Sequence, residues 1–505
     1  MAQLETGKKP RRWPLITDVV CSGCTFSASV LRFRPIGPGE APRWRINVTA
    51  PSEFRHPSFR GVVGIARRDL TPPIGIYSRT WGAALHDTAE SIHRPLTLTA
   101  MTLSTEDRAT PLVLVCADLS FWKSPNAFLR LQERVLNEFS LRKEEFIFSL
   151  SHTHAAPPLQ DVDDSAPGGR LLREWIESIT VVTIDAVKEA IRNSFPATVD
   201  WHTGSCHLAT VRDFPDPERD RYLCGYAPNH PADETLLVGR VTDDEGAIRA
   251  TLVNYACHPT TLAWENKAIS PDYIGSMRET IERVTKAPAL FLLGACGDLA
   301  PREQYTADLG LADRHGRQLG FAALATLEDM VPAETRLVYS HAVESGAPLA
   351  VWKEAPTSVS NVLKAQCPIV SVPLKNWPTT SELEQQIQAC TDRALRERLI
   401  RKRATRLTIG DASSFPLPIW TWRIGDAVII GSCCEFYSVF QKELRRHFPD
   451  RAIICLNIIN GSTGYLPPAE LYDRDIYSVW VTPFDRGSLE TAIEAASNSI
   501  RTIVN

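Results

Sequence analysis

From Gly61 onward the chain alternates short, nearly all-apolar runs with stretches of helical periodicity, and this limits its fold more than any other feature. Runs such as Leu112–Ala117 (LVLVCA) and Phe146–Leu150 (FIFSL) are too short for buried helices and offer no face to water. They read as strands covered on both sides. Apolar residues at helical spacing in Asn126–Phe139, Leu172–Asn193 and Ile274–Thr285 supply such cover. Ala250–Ala256, Ala289–Leu293 and Ala452–Ile458 read as further core strands, and Ile419–Arg423 with Ala427–Ile430 as a hairpin turning at Gly425-Asp426. Helices are expected over Phe436–His447 and Leu489–Ile503. The expected fold is α/β: one large mixed-sheet domain flanked by helices over residues 61–505. An N-terminal extension, residues 1–60, precedes it, with β-like runs at Ser27–Phe33 and Arg43–Val48. Residues 381–408 form a highly charged helical stretch that reads as a solvated face or a helical excursion. No internal repeat is visible.

Composition excludes several functions. Lys+Arg total 55 against 59 Asp+Glu, a net charge of −4, so no polyanion-binding surface is indicated and nucleic acid is not an expected partner. No stretch approaches the ~20 apolar residues of a membrane helix. Near the N-terminus the apolar run is broken by Pro14 and Asp18, which does not make a secretion signal. Twelve scattered cysteines, with one lone CxxC at Cys21 and Cys24, suit reduced thiols in the cytoplasm better than a disulfide scaffold or a zinc knuckle.

In α/β sheets, ligands collect beyond the carboxyl ends of strands. FIFSL is followed by Ser151-His152-Thr153-His154, ATLVNYA by Cys257-His258-Pro259-Thr260, DAVIIGS by Cys433-Cys434-Glu435-Phe436, and AIICLNII by Asn460-Gly461-Ser462-Thr463-Gly464-Tyr465. Taken singly, each has an ordinary structural role: a hydrogen-bonded histidine, a carboxylate at a helix start, a packed tyrosine. Together, two imidazoles and a carboxylate make a common zinc ligand set with room for water or a weaker fourth ligand. Zinc lowers the pKa of bound water toward ~7, which provides a nucleophile without an activated serine. The chain has no G-x-S-x-G elbow, phosphate-binding loop, G-x-G-x-x-G or H-E-x-x-H motif, so the corresponding hydrolase, kinase and dehydrogenase readings lose their support.

At these residues the sequence resembles the neutral/alkaline (non-lysosomal) ceramidase family, in order from about Val63 to Tyr477. Gly64-Ile65-Ala66-Arg67-Arg68-Asp69-Leu70-Thr71 resembles its "GIGRxDIT", and Ile92-His93-Arg94-Pro95-Leu96 its "GIHTRL". SHTHAAPP is similar to "THTHSGP", NYACHPTTL to "WFAxHPTSM", and Ser270-Pro271-Asp272-Tyr273-Ile274-Gly275 to "SxDNKG". CCEF resembles "PGEF", and NGSTGY followed by Glu470-Leu471-Tyr472 and Tyr477 resembles "NxYxxY…EEY…Y".

The resemblance implies a Zn2+ held by His152, His258, Glu435 and Tyr465, with His154, Arg212 and Tyr477 beside the reacting carbonyl. Asp272 and Asp298 are candidates for orienting the imidazoles. Arg212 stands in Val211-Arg212-Asp213-Phe214, a reduced form of the family's "NRSP". The family's "GDVSPN" reads Gly297-Asp298-Leu299-Ala300-Pro301-Arg302, so an alanine replaces the serine sometimes proposed as nucleophile and a metal-activated water remains. The C-terminal β-sandwich of secreted ceramidases has no counterpart after Tyr477. The expectation is a cytoplasmic zinc amidohydrolase acting on a soluble small-molecule N-acyl or amide substrate, without stable membrane association. Alternatives are a zinc hydrolase of an ester or other carbonyl-derived bond, and a non-catalytic ligand-binding relative.

Overall fold

The apolar runs are strands covered on both faces, by helices on one side and a second sheet on the other. The computed structural model describes residues 53–108 and 110–505. Eight strands form one mixed sheet in the order Ala289–Leu293, Ile248–Tyr255, Thr235–Asp243, Phe195–Ser205, Ser58–Asp69, Thr97–Ser104, Leu112–Ala117, Phe146–Leu150. Neighbours are antiparallel except at the edges, where Leu112–Ala117 pairs with Phe146–Leu150, and Ile248–Tyr255 with Ala289–Leu293, in parallel. A four-stranded sheet of Leu363–Gln366, Trp420–Ile424, Ala427–Gly431 and Ala452–Leu456 lies against it.

The two-residue period of each strand assigns its side chains to layers. Leu114, Ile147, Leu252 and Leu290 of the large sheet meet Trp420, Trp422, Ile429 and Ile454 of the small one. Alternate residues Val113, Val115, Phe148 and Val253 join a core with the helices Pro125–Phe139, Gly169–Arg192, Tyr273–Thr285 and Leu309–Glu328. On the outer face of the small sheet, Val428, Ile430 and Ile453 pack with Phe440 and Leu444 of Val439–His447, and with Leu489 and Ile500 of Ser488–Val504. The layers run helix, sheet, sheet, helix, and Ser52–Asn505 forms one compact unit.

One topology recurs within it. In Thr97–Leu150, Thr235–Leu293 and Trp420–Leu456, an antiparallel hairpin is followed by a helix and a strand parallel to the hairpin's second strand. Such a parallel pair needs a crossover segment, here the helix. The paired strands end in register at Ala117 and Leu150, Tyr255 and Leu293, and Gly431 and Leu456. These three ends precede the chemistry-bearing segments. The repeat is one of topology, which leaves no period in the sequence.

Two expectations change. The helix expected from Phe436 starts at Val439, because Cys434–Phe436 is extended and pairs with Gly464–Leu466. The main chain of Phe436 is held by the Asn457 side chain at 3.1 Å and by the Gly297 N–H at 2.8 Å. The charged stretch is two helices, Thr380–Ala389 and Arg393–Ile409. The β-like runs and CxxC motif expected before residue 53 lie outside the described residues. Among the described residues, no helix is long and apolar enough to cross a membrane.

Candidate metal centre

His152 stands two residues beyond the edge strand Phe146–Leu150, in the left-handed region at φ 65°. A non-glycine residue rarely adopts this conformation without a tertiary requirement. Its Nδ1 lies 3.0 Å from the Ser120 carbonyl, in the segment following the neighbouring strand end, Ala117. His258 follows the inner strand of the second parallel pair, and its Nδ1 lies 2.7 Å from the Cys296 carbonyl and 3.1 Å from that of Leu299. Carbonyls only accept, so both imidazoles carry their proton on Nδ1 and keep a lone pair on Nε2.

The third group comes from the small sheet's end of the molecule. Glu435 lies in the extended Cys434–Phe436 segment, opposite Tyr465. Its Oε2 is 3.1 Å from His258 Nε2 and 3.6 Å from His152 Nε2. The ligating atoms of His152, His258 and Glu435 all lie within 4.8 Å of one another, and all three residues are buried. The Tyr465 hydroxyl is 3.5 Å from His258 Nε2. Burial and nearby Arg212 push His258 down to about 4, so the imidazole is neutral, as a metal ligand must be. Two imidazole nitrogens, a carboxylate and a phenol fit a zinc ion, and an Nδ1–H donated to a backbone carbonyl is the usual orienting contact of a zinc-binding histidine.

The remaining candidates surround this centre. His154 Nε2 is 3.3 Å from His152 Nε2, and its ring lies 5.1 Å from Trp81 and 6.2 Å from Phe121. Burial and the two neighbouring histidines keep His154 neutral. The Tyr477 ring meets that of Tyr465 edge-on at 5.8 Å. The Arg212 guanidinium sits 5.4 Å above the Tyr465 ring, and its buried Nε and Nη2 have no hydrogen-bond partner.

Neither a family model nor a curated protein matches this sequence. Solved structures do. A ceramidase complexed with C2 superposes with a TM-score of 0.61 at 14% identity, covering 89% of this chain and 76% of its own. Neutral ceramidase from Pseudomonas aeruginosa gives 0.61 at 15% identity, with 89% and 75% covered. This chain has the ceramidase fold.

Within that ceramidase fold, all seven residues singled out from the sequence come together around one point. The two aspartates expected to orient imidazoles do other work. Asp272 accepts from the main-chain N–H groups of Leu262 and Tyr273, and Asp298 from the main chain and hydroxyl of Ser438. Backbone carbonyls of Ser120, Cys296 and Leu299 hold the rings instead. A carbonyl has no sequence signature. Phe121, which packs against His152 at 5.6 Å, was within reach of the strand-end argument, since it follows LVLVCA.

Proposed function

We propose that this protein is a zinc-dependent hydrolase of a linear, non-peptide amide (N-acyl) bond in a small soluble substrate. One observation carries the reading: His152 and His258 present Nε2 lone pairs toward Glu435 within 4.8 Å, while their Nδ1 protons are used on backbone carbonyls. The likeness to ceramidases adds support for amide chemistry. His152, His258, Glu435 and Tyr465 would hold the metal. When bound, zinc supplies a Lewis acid that polarises a carbonyl and acidifies water.

The chain's own residues account for the other requirements. Arg212, with buried N–H groups that lack a partner, and Tyr477 bind the substrate carbonyl oxygen and stabilise the charge that develops there. His154, neutral in its buried position, accepts a proton from water and delivers it to the leaving nitrogen. Trp81 and Phe121 flank His154 and limit access of bulk water. Ala300 is buried in the short strand Leu299–Pro301, so no serine nucleophile stands at that position. The ten described cysteines are all free thiols, which suits a reducing, cytoplasmic setting.

The test is metal content by mass spectrometry of wild type and His152→Ala, purified without added metal, followed by hydrolysis of matched amide and ester pairs. About one zinc per chain, lost in the variant, with faster amide turnover, is expected. Absence of zinc from both proteins, with no thermal shift on zinc addition, overturns the reading and favours a ligand-binding protein.

A further inference from the structure

A cavity of about 40 Å³ shares Phe121 with the metal centre: the side chain lines the cavity, and its ring packs against His152 and His154 at 5.6 and 6.2 Å. At roughly 10–15 Å³ for each water-sized position, it admits a group the size of a carboxylate. Lys123 and Arg401 supply its charged wall, and Thr405, Thr408 and Ser462 contribute hydroxyls.

The charges in this place do not balance. Lys123 is only 6% exposed, and its principal charged neighbours are Arg401, Arg79 and a single carboxylate, Glu397. Glu397 Oε1 accepts from Lys123 Nζ at 3.3 Å and from Arg401 Nε at 3.2 Å. Lys123 also donates to Gln160 at 2.9 Å, which leaves one of its three N–H groups without a hydrogen-bond acceptor, and its Nζ lies 5.4 Å from the centre of the Phe121 ring. Arg79, 9% exposed, donates Nη2 to the Gly82 carbonyl, and its Nε has no partner. Neither Asp87, paired with Arg393 at 2.6 Å, nor Asp161, which accepts from the Ser124 hydroxyl at 2.9 Å, forms an ion pair with Lys123 or Arg401. Lys123 and Arg401 thus share one carboxylate, with Arg79 near Lys123; Lys123 and Arg79 are buried, where uncompensated charge is costly, and Arg401 is partly exposed. Burial together with Arg401 pushes the Lys123 ammonium down to about 7.

The helix Arg393–Ile409, which brings Glu397, Arg401, Thr405 and Thr408, buries Glu397, Arg406 and Ile409 rather than an apolar stripe. The charged stretch therefore turns part of its charge inward, which a merely solvated face would not do.

We propose that Lys123 and Arg401, with Arg79 behind them, form a subsite for a small oxyanion, and that the amide substrate carries a carboxylate placed there. The substrate assignment rests on the hydrolase reading; the oxyanion site does not. Binding reduces the excess positive charge and gives Lys123 a charge-assisted hydrogen bond.

The experiment uses the full chain and two probes. Inorganic phosphate is titrated calorimetrically into wild type, Glu435→Gln, Lys123→Met, Arg401→Gln and Lys123→Arg, each checked for folding by circular dichroism. Comparable binding to wild type and Glu435→Gln is expected, with at least tenfold weakening in Lys123→Met and Arg401→Gln and partial retention in Lys123→Arg. Hydrolysis of N-octanoylglycine is then compared with that of N-octanoylmethylamine. A wild-type kcat/KM preference of tenfold or more for the carboxylate-bearing amide, collapsing in Lys123→Met, supports the substrate as source. Phosphate binding without such a preference supports the oxyanion site but overturns the substrate carboxylate, leaving a free anion as occupant. Absence of phosphate binding in wild type, or binding unchanged in both charge-removing variants, overturns the site. If neither amide is hydrolysed while phosphate binding behaves as expected, the hydrolase reading fails and the site stands.

Discussion

Glu435 Oε2 lies 3.1 Å from His258 Nε2, across 177 residues of chain. The other nitrogen of that imidazole is tied to the Cys296 and Leu299 carbonyls, so the two side chains face each other through the atoms that bind metals. A structural histidine–glutamate pair would not require His152 to bring a second Nε2 to within 3.6 Å of the same carboxylate oxygen.

Glu435→Gln should keep the volume and lose the charge. Zinc affinity is expected to fall by more than the ~10–100-fold typical of changes to groups that only orient ligands. Competition against a chromogenic chelator measures it, and an unchanged affinity would remove Glu435 from the ligand set.

Tyr477→Phe keeps the edge-on ring contact with Tyr465 and deletes only the hydroxyl. With the phenol as an oxyanion donor, kcat should fall by about 100- to 1000-fold while KM and zinc content change little. A variant with wild-type kcat would show that the hydroxyl takes no part.

Trp422 is fully buried between the sheets, with its indole N–H 2.6 Å from the Glu144 carbonyl. Trp422→Ala should cost about 3–5 kcal/mol in urea unfolding. The folded fraction should still bind one zinc. Loss of less than about 1 kcal/mol would mean that the sheets repack without it.

His56 Nε2 accepts the Val331 N–H at 3.1 Å, which requires a neutral ring, and burial together with nearby His202 pushes its pKa down to about 4. The folded pKa is below the unfolded value of about 6.5. Below that pH the unfolded chain binds a proton that the folded chain refuses, so this contribution to stability is complete above pH 6.5 and is lost as the pH falls toward 4. His56→Gln should flatten the urea midpoint over that window. Identical pH profiles for the two proteins would contradict the assignment.

The parallel pairs at the edges of the large sheet and three of the four small-sheet strands were legible, because burial on both faces leaves runs such as LVLVCA, FIFSL and ALFLL nearly free of polar positions. The inner strand Ser58–Asp69 was not, because SFRGVVGIARRD carries three arginines. All three find carboxylates only in the folded molecule, Arg60 on Asp244 at 2.6 Å, Arg67 on Glu282 at 2.7 Å and Arg68 on Glu189. Gly64 in the same strand lies so close to the helix Gly169–Arg192 that a Cβ would come 1.9 Å from the Ala190 carbonyl oxygen. That contact also has no local signature.

The sequence by itself determined several strands buried on both faces and which ligating side chains follow them, because periodicity and residue chemistry are local properties. Only the tertiary structure decided that three strand pairs end around one point, that backbone carbonyls set the histidine tautomers, and that a charged helix turns Arg401 and Glu397 inward against Lys123. Those relationships join groups far apart in the chain, and they are fixed by how the layers pack rather than by any residue's neighbours in sequence.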